Sequence, residues 1–111
     1  MSWLFLNQID QIDSLIDVDS FDQTIVFFKH STICPISDIS YKKMEAALDD
    51  FSRKAKVYLV KVIEERPFSN YIAEKLDVPH QSPQILVVKE GKCIFSESHL
   101  QIQPQEIFSL L

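Results

Sequence analysis

The sequence predicts a single α/β domain over residues 1–111, with a mixed central sheet of about four strands flanked by helices and an extra helix at the N-terminus. Three observations predict it. Thr24–Phe28, Val57–Val62 and Ile85–Val88 are almost continuous apolar runs of strand length, the pattern of strands covered on both faces. Between them lie longer segments whose apolar residues recur at helical spacing. The only glycine, Gly91, stands in Glu90-Gly91-Lys92 between two short apolar runs and marks a hairpin. A chain of 111 residues buries one sizeable core and is too short for two.

The elements follow in order. Ile9, Ile12, Leu15 and Ile16 place a first helix over about Gln8 to Asp17, with Asp10, Asp13 and Asp17 on its polar side. Thr24-Ile25-Val26-Phe27-Phe28 is the first strand. A helix runs from Pro35 to about Arg53, its apolar face drawn by Ile39, Met44, Ala47, Leu48 and Phe51. Val57-Tyr58-Leu59-Val60-Lys61-Val62 is a second strand, and Phe68, Tyr71, Ile72 and Leu76 mark a third helix. Ile85–Val88 and Cys93–Phe95 flank the hairpin turn. A last short helix begins near Pro104 and carries Ile107, Phe108 and Leu110. After the first helix the order is β-α-β-α-β-β-α.

The bulk numbers exclude several classes of protein. A net charge of −5 argues against nucleic-acid binding, which needs a basic surface. No apolar run approaches the roughly 18 residues of a membrane span. Met1–Leu6 lacks the basic stretch and small-residue cleavage site of a signal peptide. Two cysteines, one of them in a motif, do not make a disulfide framework. A cytoplasmic protein in a reducing compartment is expected, with neither nucleic acid nor membrane as a partner.

The chemistry concentrates in Thr32-Ile33-Cys34-Pro35-Ile36-Ser37. Proline suits the first position of a helix because its missing N–H would have had no partner there. Cys34 therefore falls at a helix N-terminus, where unpaired N–H groups and partial positive charge favour thiolate over thiol. Ser37 stands where a dithiol C-x-x-C motif carries its second sulfur, and its hydroxyl is placed to donate to the first. A capping or solvated serine is the plainer alternative. Thr32 shapes the loop, and Pro35 starts the helix.

The strand-helix-strand unit followed by a strand, a helix and a hairpin, with Cys-Pro after the first strand, resembles the thioredoxin fold. The match tightens over Lys29-His30-Ser31-Thr32-Ile33-Cys34-Pro35-Ile36-Ser37, then His80-Gln81-Ser82-Pro83-Gln84, then Ser98-His99-Leu100-Gln101-Ile102. Together these resemble the monothiol bacilliredoxins of the YtxJ type, over nearly the whole chain. Cys-Pro-Ile-Ser alone is a moderate signal. With His-x-Ser-Pro-Gln roughly 45 residues later it becomes specific. Leu100 departs from the pattern, since many relatives carry tryptophan there.

The resemblance implies a thiol at the carboxyl end of a central strand and a cis Ser82–Pro83 peptide facing it. It implies removal of bacillithiol, a cysteinyl-glucosaminyl-malate thiol, from protein mixed disulfides, with Cys34 as nucleophile. Bacillithiol is then the co-substrate, and no cofactor is bound. The partners are bacillithiolated client proteins and a low-molecular-weight thiol, and the chain is a monomer or weak dimer. Ser82 and Pro83 would offer backbone to an extended thiol ligand in the manner of strand addition. Two alternatives stay open: a glutaredoxin-like deglutathionylase, and a non-catalytic thiol-binding or redox-sensing module. The first lacks residues that glutathione-binding glutaredoxins use, a Gly-Gly turn and an aspartate after the last strand. That segment here reads Glu97-Ser98-His99.

Two further expectations concern the three histidines and the second cysteine. His30, His80 and His99 all fall at the thiol end of the sheet by topology, and with Lys29 they would form a cationic patch for the malyl carboxylates. They have no metal-ligand spacing, so no metal site is expected. Cys93 starts the last strand at the hairpin end, about 15 Å from the site at about 3.3 Å per residue. That is too far for a disulfide with Cys34, which needs Cα atoms within about 7 Å.

Overall fold

Five strands, not four, form the sheet. The computed structural model describes residues 3–111. Its strands are β1 (Leu4–Phe5), β2 (Thr24–His30), β3 (Ala55–Lys61), β4 (Gln84–Lys89) and β5 (Lys92–Ser98). The helices are α1 (Ile9–Asp17), α2 (Pro35–Ser52), α3 (Arg66–Leu76) and α4 (Pro104–Phe108), with single 3₁₀ turns at Asp19–Phe21 and His99–Gln101. The additional strand is β1, which pairs parallel with β3 through Leu4↔Tyr58 and Phe5↔Leu59. Two exposed residues on a sheet edge carry no periodicity, so composition leaves them unmarked.

The strand order is β1-β3-β2-β4-β5, with β2 in the middle. β2 runs parallel to β3 and antiparallel to β4. All seven β2 residues are buried, as a strand covered on both faces requires. Successive side chains alternate between faces. Val26 and Phe28 join Trp3, Met44, Leu48 and Phe51 beneath α2 and α4. Ile25 and Phe27 join Ile12, Leu15, Ile16 and Ile72 beneath α1 and α3.

α2 departs from the expected face in its first two turns. Its buried positions are Ser37, Ser40, Met44, Leu48 and Phe51, while Ile39 is 47% exposed. Counting back from Met44 by four and seven reaches Ser40 and Ser37, whereas Ile39 lies on the other flank. The inward residues near the thiol are therefore polar. At the other end of the chain, α4 stops at Phe108, two residues short of the expected Leu110.

The β4–β5 hairpin turns at Glu90 and Gly91, with φ of 52° and 78°. Two consecutive left-handed residues are what a two-residue turn of this hand needs, and glycine takes the second without steric cost. Ser20 fixes the turn by accepting a hydrogen bond from the Gly91 N–H at 2.8 Å.

Candidate active site

Register places the site. Lys29 faces Gln84 across the antiparallel β2–β4 pair, so Pro83, one residue before Gln84, borders the end of β2 where the Cys34 loop begins. The Ser82–Pro83 peptide is cis, as the resemblance implies. The Cys34 N–H donates to the Ser31 carbonyl at 3.3 Å, closing a tight turn over Thr32 and Ile33. Cys34 is the N-cap of α2, with extended backbone at φ −102° and ψ 121°, and Pro35 follows within the first turn. The Cys34 carbonyl accepts the first helical bond from the Asp38 N–H at 3.0 Å. The sulfur makes no capping bond, and the thiol is free and half-buried. Thr32 and Pro35 are exposed.

Ser37 is fully buried, and its hydroxyl is engaged away from the sulfur. Its Oγ accepts the Ser31 N–H at 2.9 Å and lies 2.8 Å from Nδ1 of His30. The expectation of a Ser37 hydrogen bond to Cys34 is therefore replaced by a tether that holds the base of the cysteine loop. The cause is the helix phase: Ser37 points inward beside the end of β2.

The cationic patch does not form. His30 is 8% exposed and sits in an aromatic stack, 4.6 Å from the Tyr41 ring and 6.1 Å from that of Phe28. Burial lowers its pKa, against the opposing pull of the Asp38 and Glu64 carboxylates. Lys29, next along the strand, points to the opposite face and is completely buried. Burial lowers its pKa to about 8. Its Nζ donates to the Ser69 carbonyl at 3.0 Å and lies 3.3 Å from Nδ1 of His80. Burial, with Lys29 and Arg66 nearby, lowers the His80 pKa too. His30 and His80 are thus neutral near pH 7, and the sheet separates them.

His99 acts through its backbone. It takes a left-handed φ of 58°. Its N–H donates to the Pro83 carbonyl at 3.0 Å, and its own carbonyl accepts from Ser40 Oγ at 3.0 Å. One residue thereby ties the Ser82–Pro83 loop to the second turn of α2, while its ring stays exposed. Pro83 is buried. The Ser82 hydroxyl is also buried and has no hydrogen-bond partner among the described residues.

Several supporting residues carry no motif in the sequence. Gln84 donates through Nε2 to the Pro79 carbonyl at 3.1 Å and accepts from the Gln81 N–H at 3.3 Å, which closes the loop on itself. Ser69 and Tyr41 look like ordinary helical residues until the register brings them to the end of β2. Cys93 lies at the hairpin end, opposite Val88. Its half-buried sulfur donates to the Phe95 carbonyl at 3.3 Å, and burial raises its pKa. Among the described residues, no cluster of His, Cys, Asp and Glu is arranged to hold a metal ion. No helix there is long and apolar enough to cross a membrane.

A half-buried cysteine at a helix N-cap, beside a cis-proline loop in a β1-β3-β2-β4-β5 sheet, defines a thiol-disulfide oxidoreductase of thioredoxin fold. Solved structures agree. The chain is 30% identical to a proposed oxidoreductase with a thioredoxin fold, with a TM-score of 0.79 over 96% of this chain and 90% of the other. It resembles the thioredoxin of Trypanosoma brucei brucei (18% identity, TM-score 0.72, 97% and 86% covered). The Fasciola hepatica thioredoxin matches at 18% identity and a TM-score of 0.69 (96% and 93% covered). More specifically, the family model for monothiol bacilliredoxin BrxC matches residues 5–107, and the chain belongs to that family.

Proposed function

We propose that the protein removes bacillithiol from protein mixed disulfides, with Cys34 as the nucleophile. The reading rests on one observation above all. The thiol at the N-cap position of α2 has no sulfur three residues on, only a buried serine hydroxyl. With no second sulfur at that position, exchange must finish on an external thiol. In the first step the Cys34 thiolate attacks the bacillithiol sulfur. The client sulfur leaves as thiolate and is reprotonated, and the bacillithiol remains disulfide-bonded to Cys34. A second low-molecular-weight thiolate then attacks the bacillithiol sulfur of that disulfide. It releases Cys34 as thiolate and carries the cap away as a small disulfide.

The site suits the two steps in different ways. The N–H groups of Ile36 and Ser37, ahead of the first helical bond of α2, are donors at the helix tip where negative charge sits on sulfur, before attack and again on leaving. The Ser31–Ser37 tether keeps the loop in one shape through both steps. The Ser82–Pro83 loop supplies a backbone edge beside it, with an unpaired hydroxyl at Ser82.

Mass spectrometry of the protein mixed with a bacillithiolated peptide, without a second thiol, tests the reading. One bacillithiol should appear on the tryptic fragment holding Cys34, with free peptide released in equal amount. Cys34→Ser should give neither product, and Cys93→Ser should behave as the wild type. An adduct on Cys93, or peptide release by Cys34→Ser, would defeat the assignment. A glutathionylated peptide run in parallel decides which cap is preferred.

A further inference from the structure

Lys29 is a fully buried lysine, and no salt bridge to it occurs among the described residues. Burying such a group unpaired is costly, so its hydrogen bonds are informative. An ammonium group donates and cannot accept. Its two neighbours within reach are the Ser69 carbonyl at 3.0 Å and Nδ1 of His80 at 3.3 Å. Nδ1 must then offer its lone pair, and in a neutral ring the proton sits on Nε2. The Ser69 hydroxyl, 3.2 Å from the same nitrogen, is a second donor within reach of that lone pair. Among the described residues Nε2 has no hydrogen-bond partner, and it is not one of the buried unpaired atoms, so it meets solvent.

We propose that Lys29 is a positioning residue for His80: it fixes the ring as the Nε2–H tautomer, so that an N–H donor stands at the start of the Ser82–Pro83 loop for an acceptor on the incoming thiol cap. The acceptor chemistry is a carboxylate or carbonyl oxygen. This inference rests on the exchange reading above for its ligand, and on geometry alone for the tautomer. The surroundings agree with a neutral ring. Burial, Lys29 and Arg66 all oppose a second proton on His80. Gln84 closes the same loop from its other end through Pro79 and Gln81, so the donor is carried on a pinned segment.

The test has a spectroscopic arm and a kinetic arm. Long-range ¹H–¹⁵N correlation of the His80 ring at pH 7, with no thiol present, should show the proton on Nε2. Lys29→Met should give a mixture of tautomers. A wild-type ring protonated on Nδ1, or an unchanged ring in Lys29→Met, would overturn the proposal whatever the protein reduces. In the kinetic arm, glutamine mimics an Nε2–H donor and asparagine an Nδ1–H donor. His80→Gln should retain more kcat/KM for a bacillithiolated peptide than His80→Asn. His80→Asn and Lys29→Met should each lose roughly three- to tenfold, the worth of one hydrogen bond. The reverse ranking of glutamine and asparagine would also overturn the proposal. If Lys29→Met fails to fold, the His80 pair and the wild-type spectrum still decide. Failure of the wild type to release bacillithiol would count against the exchange reading, while the tautomer measurement stands apart from it.

Discussion

Lys29 and His30 are neighbours on one strand, both buried and both titratable, yet the two sides of the sheet treat them differently. His30 enters an aromatic stack and meets the Ser37 hydroxyl, which in turn holds the Ser31 backbone. Lys29 enters the α3 side with no carboxylate partner among the described residues, and its bonds end on a carbonyl and an imidazole. One residue organises the loop of the thiol, and the other reaches the loop of the cis-proline. A single β2 terminus thus holds both walls of the site through opposite faces. The lesson is that alternation along a strand can assign adjacent polar residues to separate tasks.

The largest expected effect breaks the His30 side. Ser37→Ala leaves the Ser31 N–H and His30 Nδ1 without their partner in a buried place. At about 1–3 kcal/mol for each of the two stranded groups, a loss of about 2–6 kcal/mol in urea unfolding is expected. A loss below about 0.5 kcal/mol would show that the tether holds little.

The next effect sharpens the Lys29 side through pH. Its folded pKa of about 8 lies below the unfolded value of about 10.4. Between those values the unfolded chain holds the extra proton, so this residue makes stability rise with pH from about 8 to about 10.4. The wild type should gain stability over that window relative to Lys29→Met, followed by chemical unfolding at several pH values. Parallel curves for the two proteins would contradict the lowering of the Lys29 pKa by burial.

A smaller effect concerns the acid side. The His30 pKa is lowered by burial, so the unfolded chain takes up its proton first as pH falls below about 6.5. Stability declines there. His30→Phe keeps an aromatic ring in the stack and should flatten part of that decline between pH 7 and pH 5. The smallest effect tests His99. Since its backbone is left-handed and its hydrogen bonds are main-chain, His99→Gly should keep the loop, and His99→Ala should be the less stable by about 1 kcal/mol in thermal unfolding. Equal stabilities would show that the turn relaxes without glycine.

Much of this frame was legible in the sequence. Runs such as Thr24–Phe28 are long enough to mark strands, and Pro35 and Gly91 have local conformations that punctuate the chain. Cys34 could be placed at a helix tip for the same reason. β1 was not legible, because two edge residues form no pattern. Topology brings the histidines to the thiol end of the sheet but does not assign their faces. His30 and His80 look equivalent in a topological sketch, and only the alternation at the end of β2, together with helix packing, sends one to Tyr41 and the other to Lys29. The spacing of Ser37 from Cys34 points to the sulfur. Its true partner depends on the inward phase of α2, which Met44 and Leu48 set from further along the helix.

Trp3 is the only tryptophan in the chain. It is 7% exposed, stacks on Phe28 and Tyr41, and is fixed by a 2.6 Å hydrogen bond to Glu45. Tyr41 is also the ring that covers His30. Indole emission from this protein therefore comes from one residue, separated by the single ring of Tyr41 from the imidazole that anchors the cysteine loop. A change in that emission on loading the thiol is expected, and fluorescence of the protein mixed with a bacillithiolated peptide checks it.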